Sequence, residues 1–132
     1  MACFIITAAE AVVVSAAQIT TYILEKKGVI KYEPNEDGTQ KVKWSKKLGI
    51  LNGMLWGGSF LLALEHIFHG EVAMYPPFLT AMEDAESTAE MLHEMGTVGV
   101  GMAIAITAIW GVGLLLYRVL RSHKKVAKTV KE

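Results

Sequence analysis

The chain has 132 residues, enough for one domain, and 52% of them are hydrophobic, which is too apolar a balance for an ordinary soluble domain. Its 13 basic and 13 acidic residues cancel to a formal net charge of zero, but they are unevenly placed, so the sum says nothing about partners. A single cysteine, Cys3, excludes an intrachain disulfide.

The apolar residues fall into three blocks, 2–24, 48–69 and 97–117. Each is close to the roughly 20 residues that cross a hydrocarbon core about 30 Å thick. The first block competes with a secretory signal, since Ser15-Ala16-Ala17 loosely resembles a cleavage site. A signal carries positive charge ahead of its apolar run, whereas here Lys26 and Lys27 follow it, so a transmembrane helix is expected. Within this block Glu10 stands among alanines, an ionisable group whose burial in lipid costs at least a few kcal/mol. At 1.5 Å per residue it would lie about 12 Å from the outer surface. It is a candidate proton or cation site, against the plainer alternative of a hydrogen bond to Asn52, Ser59 or Thr107. Gln18, Asn52 and Thr107 read as packing contacts between helices.

Residues 25–47 form the first connection. Val29 to Glu33 and Thr39 to Trp44 alternate apolar and charged residues around an Asp37-Gly38 turn, the pattern of a small β-hairpin. The alternative is a solvated loop, because an isolated hairpin is marginal in water. The second apolar block carries Gly53-x-x-x-Gly57, and the third carries Gly99, Gly101, Ala105, Gly111 and Gly113. Small faces of this kind favour helix association, within the chain or between copies.

The second block closes on Glu65-His66-Ile-Phe-His69, about 28 Å beyond Lys47 at helical rise. The prolines of Tyr75-Pro76-Pro77-Phe78 are expected to stop that helix. From Leu79 onward a helix capped by Thr80 or Ser87 would extend into the third span, either unbroken or bent at Gly96. On it Glu83, Glu86, Glu90, His93 and Thr97 share a stripe, and Glu90-x-x-His93 has the spacing of carboxylate-bridged metal proteins.

Seven Lys and Arg lie between Glu25 and Lys47, and the other six between Arg118 and the C-terminus. None lies between Gly70 and Met95, where six acids fall instead. The positive-inside rule then places the first connection and the tail in the cytoplasm and the acidic segment outside. The expected fold is an all-α integral membrane protein with three transmembrane helices, N-terminus out and C-terminus in. A prokaryotic cytoplasmic membrane is the expected location, with membrane lipid and either further copies or a larger complex as partners.

Three chemical readings follow. In the first, His66, His69, His93, Glu65, Glu90 and Glu94 meet at the outer face and hold iron, zinc, copper, manganese or a haem. The plain alternative is a set of solvated helix ends, and His123 in the basic tail belongs with these. In the second, several copies form a cation channel or transporter using Glu10 and an acidic mouth. In the third, the chain is a structural or assembly subunit. No Gly-rich phosphate loop, Cys-x-x-Cys or Gly-x-Ser-x-Gly motif is present, which argues against an enzyme acting alone. The basic tail is explained by topology and anionic lipid rather than by nucleic acid.

Overall fold

The computed structural model describes residues 2–33, 41–73 and 75–129, with side chains to His123. Helix α1 runs over Phe4–Lys26, α2 over Trp44–Phe68, α3 over Ala85–Glu94 and α4 over Val100–Thr129. A single π-helical turn, Met95–Gly99, joins α3 to α4, so helix is continuous from Ala85 onward. Three helices, Phe4–Lys26, Trp44–Phe68 and Ala85–His123, are long and apolar enough to cross a membrane.

The first two helices end by the same device. Gly28 and Gly70 take positive φ values of 74° and 73°, a region that glycine enters without a Cβ penalty. At α1, Gly28 N–H donates to Glu25 O at 3.2 Å and Val29 N–H to Leu24 O at 3.0 Å. At α2, Gly70 N–H donates to Ile67 O at 3.0 Å and Glu71 N–H to His66 O at 2.9 Å. This is the Schellman pattern. Gly70 therefore stops α2, ahead of the prolines that the sequence nominated.

The start of α2 also departs from expectation. No strand forms in 29–33 or 41–43, and Trp44, assigned above to a hairpin strand, opens the helix. The turn at 34–40 lies outside the described residues. Lys43 provides no side-chain cap. Glu25 of α1 does the capping instead, since its carboxylate accepts from Ser45 N–H at 3.2 Å and Ser45 Oγ at 2.6 Å. An anion at a helix N-terminus also meets the favourable end of the helix dipole. Tyr32 donates to the same carboxylate at 2.6 Å and accepts from Trp44 N–H at 3.0 Å, which closes the connection.

At the acidic end the loop folds on itself through one antiparallel bridge, Val72 with Leu79. A short 3-10 turn, Thr80–Met82, follows. Asp84, rather than Thr80 or Ser87, caps α3, accepting from Ser87 N–H at 2.7 Å. That backbone bond, with the Ser87 hydroxyl at 2.8 Å, holds the Asp84 carboxyl below its ordinary value.

Helices α1 and α2 pack antiparallel along their whole length. On α2 the polar residues Ser45, Asn52, Ser59 and His66 recur every seven positions, close to two helical turns, so they stay near one face. Their partners on α1 follow in antiparallel order: Glu25, Gln18, Thr7 and Phe4. Between the polar layers sits a small apolar core of Ala11, Leu51 and Leu55, flanked by Val14 and by Ile106 and Trp110 of α4. The π-helical turn that leads into α4 comes close to the start of α1 at Gly99, where an added Cβ would stand 3.0 Å from Ile6 and 3.2 Å from the Cys3 carbonyl oxygen. Most other apolar side chains point outward, including Val13 at 68% exposure, Leu61 at 67% and Ile104 at 64%, as lipid or a neighbouring helix would require.

Candidate functional site

Two places join ionisable groups to buried surroundings. The first is the crevice between α1 and α4. Here Thr107 Oγ donates to Glu10 Oε1 at 2.5 Å. Of the three partners considered from sequence, Thr107 is the one α4 delivers, because Gly99 lets that helix lie close against α1 two turns away. The other carboxylate oxygen, Glu10 Oε2, is fully buried and has no hydrogen-bond partner among the described residues. Thr107 stands at the middle of the third apolar block, and Thr7, one turn from Glu10, meets Ser59 at the middle of the second. Glu10 is thus level with the centres of the second and third apolar blocks. No Lys or Arg falls in any of the three apolar blocks, so no basic side chain lies at that level to neutralise it.

Asn52 and Ser59, the other two candidates, are occupied elsewhere. Asn52 Nδ2 donates to Gln18 Oε1 at 2.9 Å, and the Ser15 hydroxyl lies 2.9 Å from Asn52 Oδ1. Trp56 Nε1 donates to Ser15 Oγ at 3.2 Å, while Ser59 Oγ donates to Thr7 Oγ at 2.8 Å. These bonds join α1 to α2, and the Ala11, Leu51 and Leu55 layer interrupts them, so they form separate clamps and not a continuous polar path. Nothing in the sequence marked Ser45 or Glu25 as helix contacts, and Ser15 stood out only beside a possible cleavage site. The seven-residue recurrence on α2 was the signal that could have found this seam.

The second place is the acidic end. His66 is only 8% exposed, packs edge-on to Phe4 at 5.5 Å, and hydrogen-bonds through Nδ1 to Leu62 O at 2.7 Å. A carbonyl accepts only, so Nδ1 carries a proton and the other ring nitrogen, Nε2, points away from that bond. That nitrogen is buried, has no hydrogen-bond partner among the described residues, and lies 3.7 Å from Glu71 Oε2. The Schellman turn at Gly70 brings Glu71 there.

The rest of the expected cluster is dispersed. His69, three residues from His66, is exposed and bonds back to Glu65 O at 2.9 Å, and Glu65, Glu90 and His93 are exposed too. Glu94 is half-buried. Among the described residues no three His, Cys, Asp or Glu side chains gather as a metal-binding group. A cavity of about 250 Å³ between the loop and α3 is lined by Glu71, Thr80, Ser87 and Glu90, without any histidine.

Most glycines of the small-residue faces meet nothing among the described residues. A Cβ added at Gly53, Gly57, Gly101, Gly111 or Gly113 would touch no atom within 4 Å. No protein-family model, curated protein sequence or solved structure matches this chain.

Proposed function

We propose that the chain is a membrane-embedded subunit that takes up a proton or a small cation at Glu10, with its acidic segment outside and its basic connection and tail in the cytoplasm. The observation that carries this reading is the fully buried Glu10 Oε2 with no hydrogen-bond partner. An ionised carboxylate surrounded by apolar helices is costly unless something neutralises it. Thr107 satisfies one oxygen, and the chain offers no basic side chain at that depth. Two low-cost states remain: a neutral acid with the proton on Oε2, or a carboxylate with a cation beside it. A group alternating between them is what proton- or cation-translocating membrane proteins require. Gly53, Gly57 and Gly101, open to close approach, supply surfaces on which copies or partner subunits would assemble around it.

The test is flux into liposomes carrying purified protein, driven by a pH or sodium gradient. Uptake abolished in Glu10→Gln and weakened in Thr107→Val supports the reading. Equal uptake in wild type and Glu10→Gln overturns it.

A second reading, a transition metal or haem at the acidic end, is favoured by His66. Its Nδ1–H is held by a backbone carbonyl and its Nε2 is left facing a carboxylate, the orientation typical of a metal-ligating imidazole. His69, His93, Glu65, Glu90 and Glu94 would complete such a site only after the loop and α3 rearranged. Elemental analysis and an absorption spectrum of protein purified without chelator test it. Metal or a Soret band lost in His66→Ala supports it, and metal content unchanged by that substitution removes it.

A further inference from the structure

At the basic end a cleft of about 650 Å³ lies between the start of α2 and the stretch of α4 from Gly111 to Ser122. Lys41, Lys47, Arg118 and Arg121 line it together with Tyr32, Trp44 and Tyr117. Lys47 Nζ stands 4.5 Å above the Trp44 ring, and Trp110 Nε1 of α4 donates to the Lys47 carbonyl at 3.0 Å, which ties the two helices together beneath the cleft. A second hollow of about 470 Å³ adjoins it, sharing Val42, Lys47, Leu114 and Tyr117. Its further walls are Ile50, Met54, Ile109 and Gly113, and its surface is wholly apolar. From Lys47 to Met54, and from Tyr117 to Ile109, the hollow follows both helices for roughly 10–12 Å toward the middle of the bundle. Among the described residues, no Asp or Glu lines either hollow.

We infer that these joined hollows bind one anionic phospholipid, its phosphate among Lys41, Lys47 and Arg118 and one acyl chain in the furrow between α2 and α4. Three observations select this occupant. The cations cluster at one end of an apolar channel, and basic hollows between transmembrane helices suit anionic headgroups. A soluble phosphate gains nothing from the furrow, and a peptide would leave its backbone N–H and C=O groups without partners there. A choline headgroup finds no carboxylate among the described lining residues. The aromatic rings of Trp44, Tyr32 and Tyr117 fit the interfacial depth at which the phosphate would lie.

The experiment uses the full chain carrying Trp56→Phe, so that Trp44 and Trp110 report alone from the cleft and the furrow wall. It is reconstituted in bilayers of phosphatidylcholine with increasing brominated phosphatidylglycerol, and separately with brominated phosphatidylcholine. The expected result is quenching that shows phosphatidylglycerol preferred by about five-fold or more. The preference should fall to near unity in Lys41→Gln/Lys47→Gln/Arg118→Gln. Gly113→Phe leaves the charges in place and fills the furrow, at a position where an added Cβ meets nothing, and should also abolish the preference. Equal quenching by the two lipids, or a preference that survives the triple variant, overturns the inference. A preference that survives Gly113→Phe and is relieved by soluble glycerol phosphate overturns it in favour of a headgroup-only anion site.

Discussion

Replacing Gly99 by alanine tests how closely α1 and α4 approach, the contact on which the Glu10 site depends. The added methyl would stand 3.0 Å from Ile6 Cγ1 and 3.2 Å from the Cys3 carbonyl oxygen. The second neighbour is backbone, which cannot swing aside, so the helices must separate by a few tenths of an ångström. Overpacking of this kind costs about 1–3 kcal/mol. Alanine in place of glycine also favours the helical state by about 0.5–1 kcal/mol, which partly masks the cost. Gly101 isolates the two effects, because its added methyl meets nothing within 4 Å and gives the propensity gain alone. The difference between Gly99→Ala and Gly101→Ala is therefore predicted at about 1–3 kcal/mol in favour of Gly101→Ala. Reversible unfolding in mixed micelles of mild detergent and dodecyl sulfate, followed by helical circular dichroism, measures it. Two variants equal within about 0.5 kcal/mol, the usual limit of additivity, would refute the close approach.

Two further predictions concern the clamps between α1 and α2. A double-mutant cycle on Gln18→Ala and Asn52→Ala should give a coupling of about 0.6 kcal/mol, and at most about 2, the range for hydrogen bonds between membrane helices. A coupling of zero in the same micelle titration would mean that the bond does not form. Glu25→Gln should loosen the first turn of α2 by about 1 kcal/mol, the ordinary value of a lost helix cap, and speed amide exchange at Ser45 and its neighbours. Unchanged exchange there would assign the capping to another group.

The three spans were legible because hydropathy acts over twenty residues at a time: the first two blocks became helices within a few residues of their expected bounds, and the third lies inside a longer helix that runs from Ala85 to Thr129. The ends were less legible. Gly28 and Gly70 stop their helices through a conformation that is specified locally, yet the prolines at 76 and 77 drew the eye first. Trp44 looked like the end of a strand because alternation is a short-range pattern, while the carboxylate that makes it a helix start belongs to Glu25, twenty residues earlier in spacing from Ser45. The unbroken and the bent versions of the third helix each held part of the answer, since a π-helical turn around Gly96 keeps the helix continuous while changing its phase.

The sites divide in the same way. Glu10 was visible as a charge in an apolar run, and its choice of Thr107 over Asn52 and Ser59 depended on which helix faces which, a tertiary fact. His66 and His69 share a helix and a spacing of three, yet one is buried against Phe4 and the other is exposed, so spacing alone overstated their partnership. Glu71 was read as part of a general acidic segment. A single glycine turn brings it beside His66.

The central claim is that the Glu10 carboxyl sits in an apolar crevice and exchanges between a protonated and a cation-paired state. A hydrophobic carbodiimide measures this directly, because it modifies protonated carboxyls in apolar surroundings and leaves ionised, solvated ones. The protein in its membrane should be labelled at Glu10, read by peptide mass spectrometry, with labelling slowed as pH rises or as the transported cation is added. Labelling confined to the acidic end, or labelling of Glu10 indifferent to both pH and cations, would contradict the account.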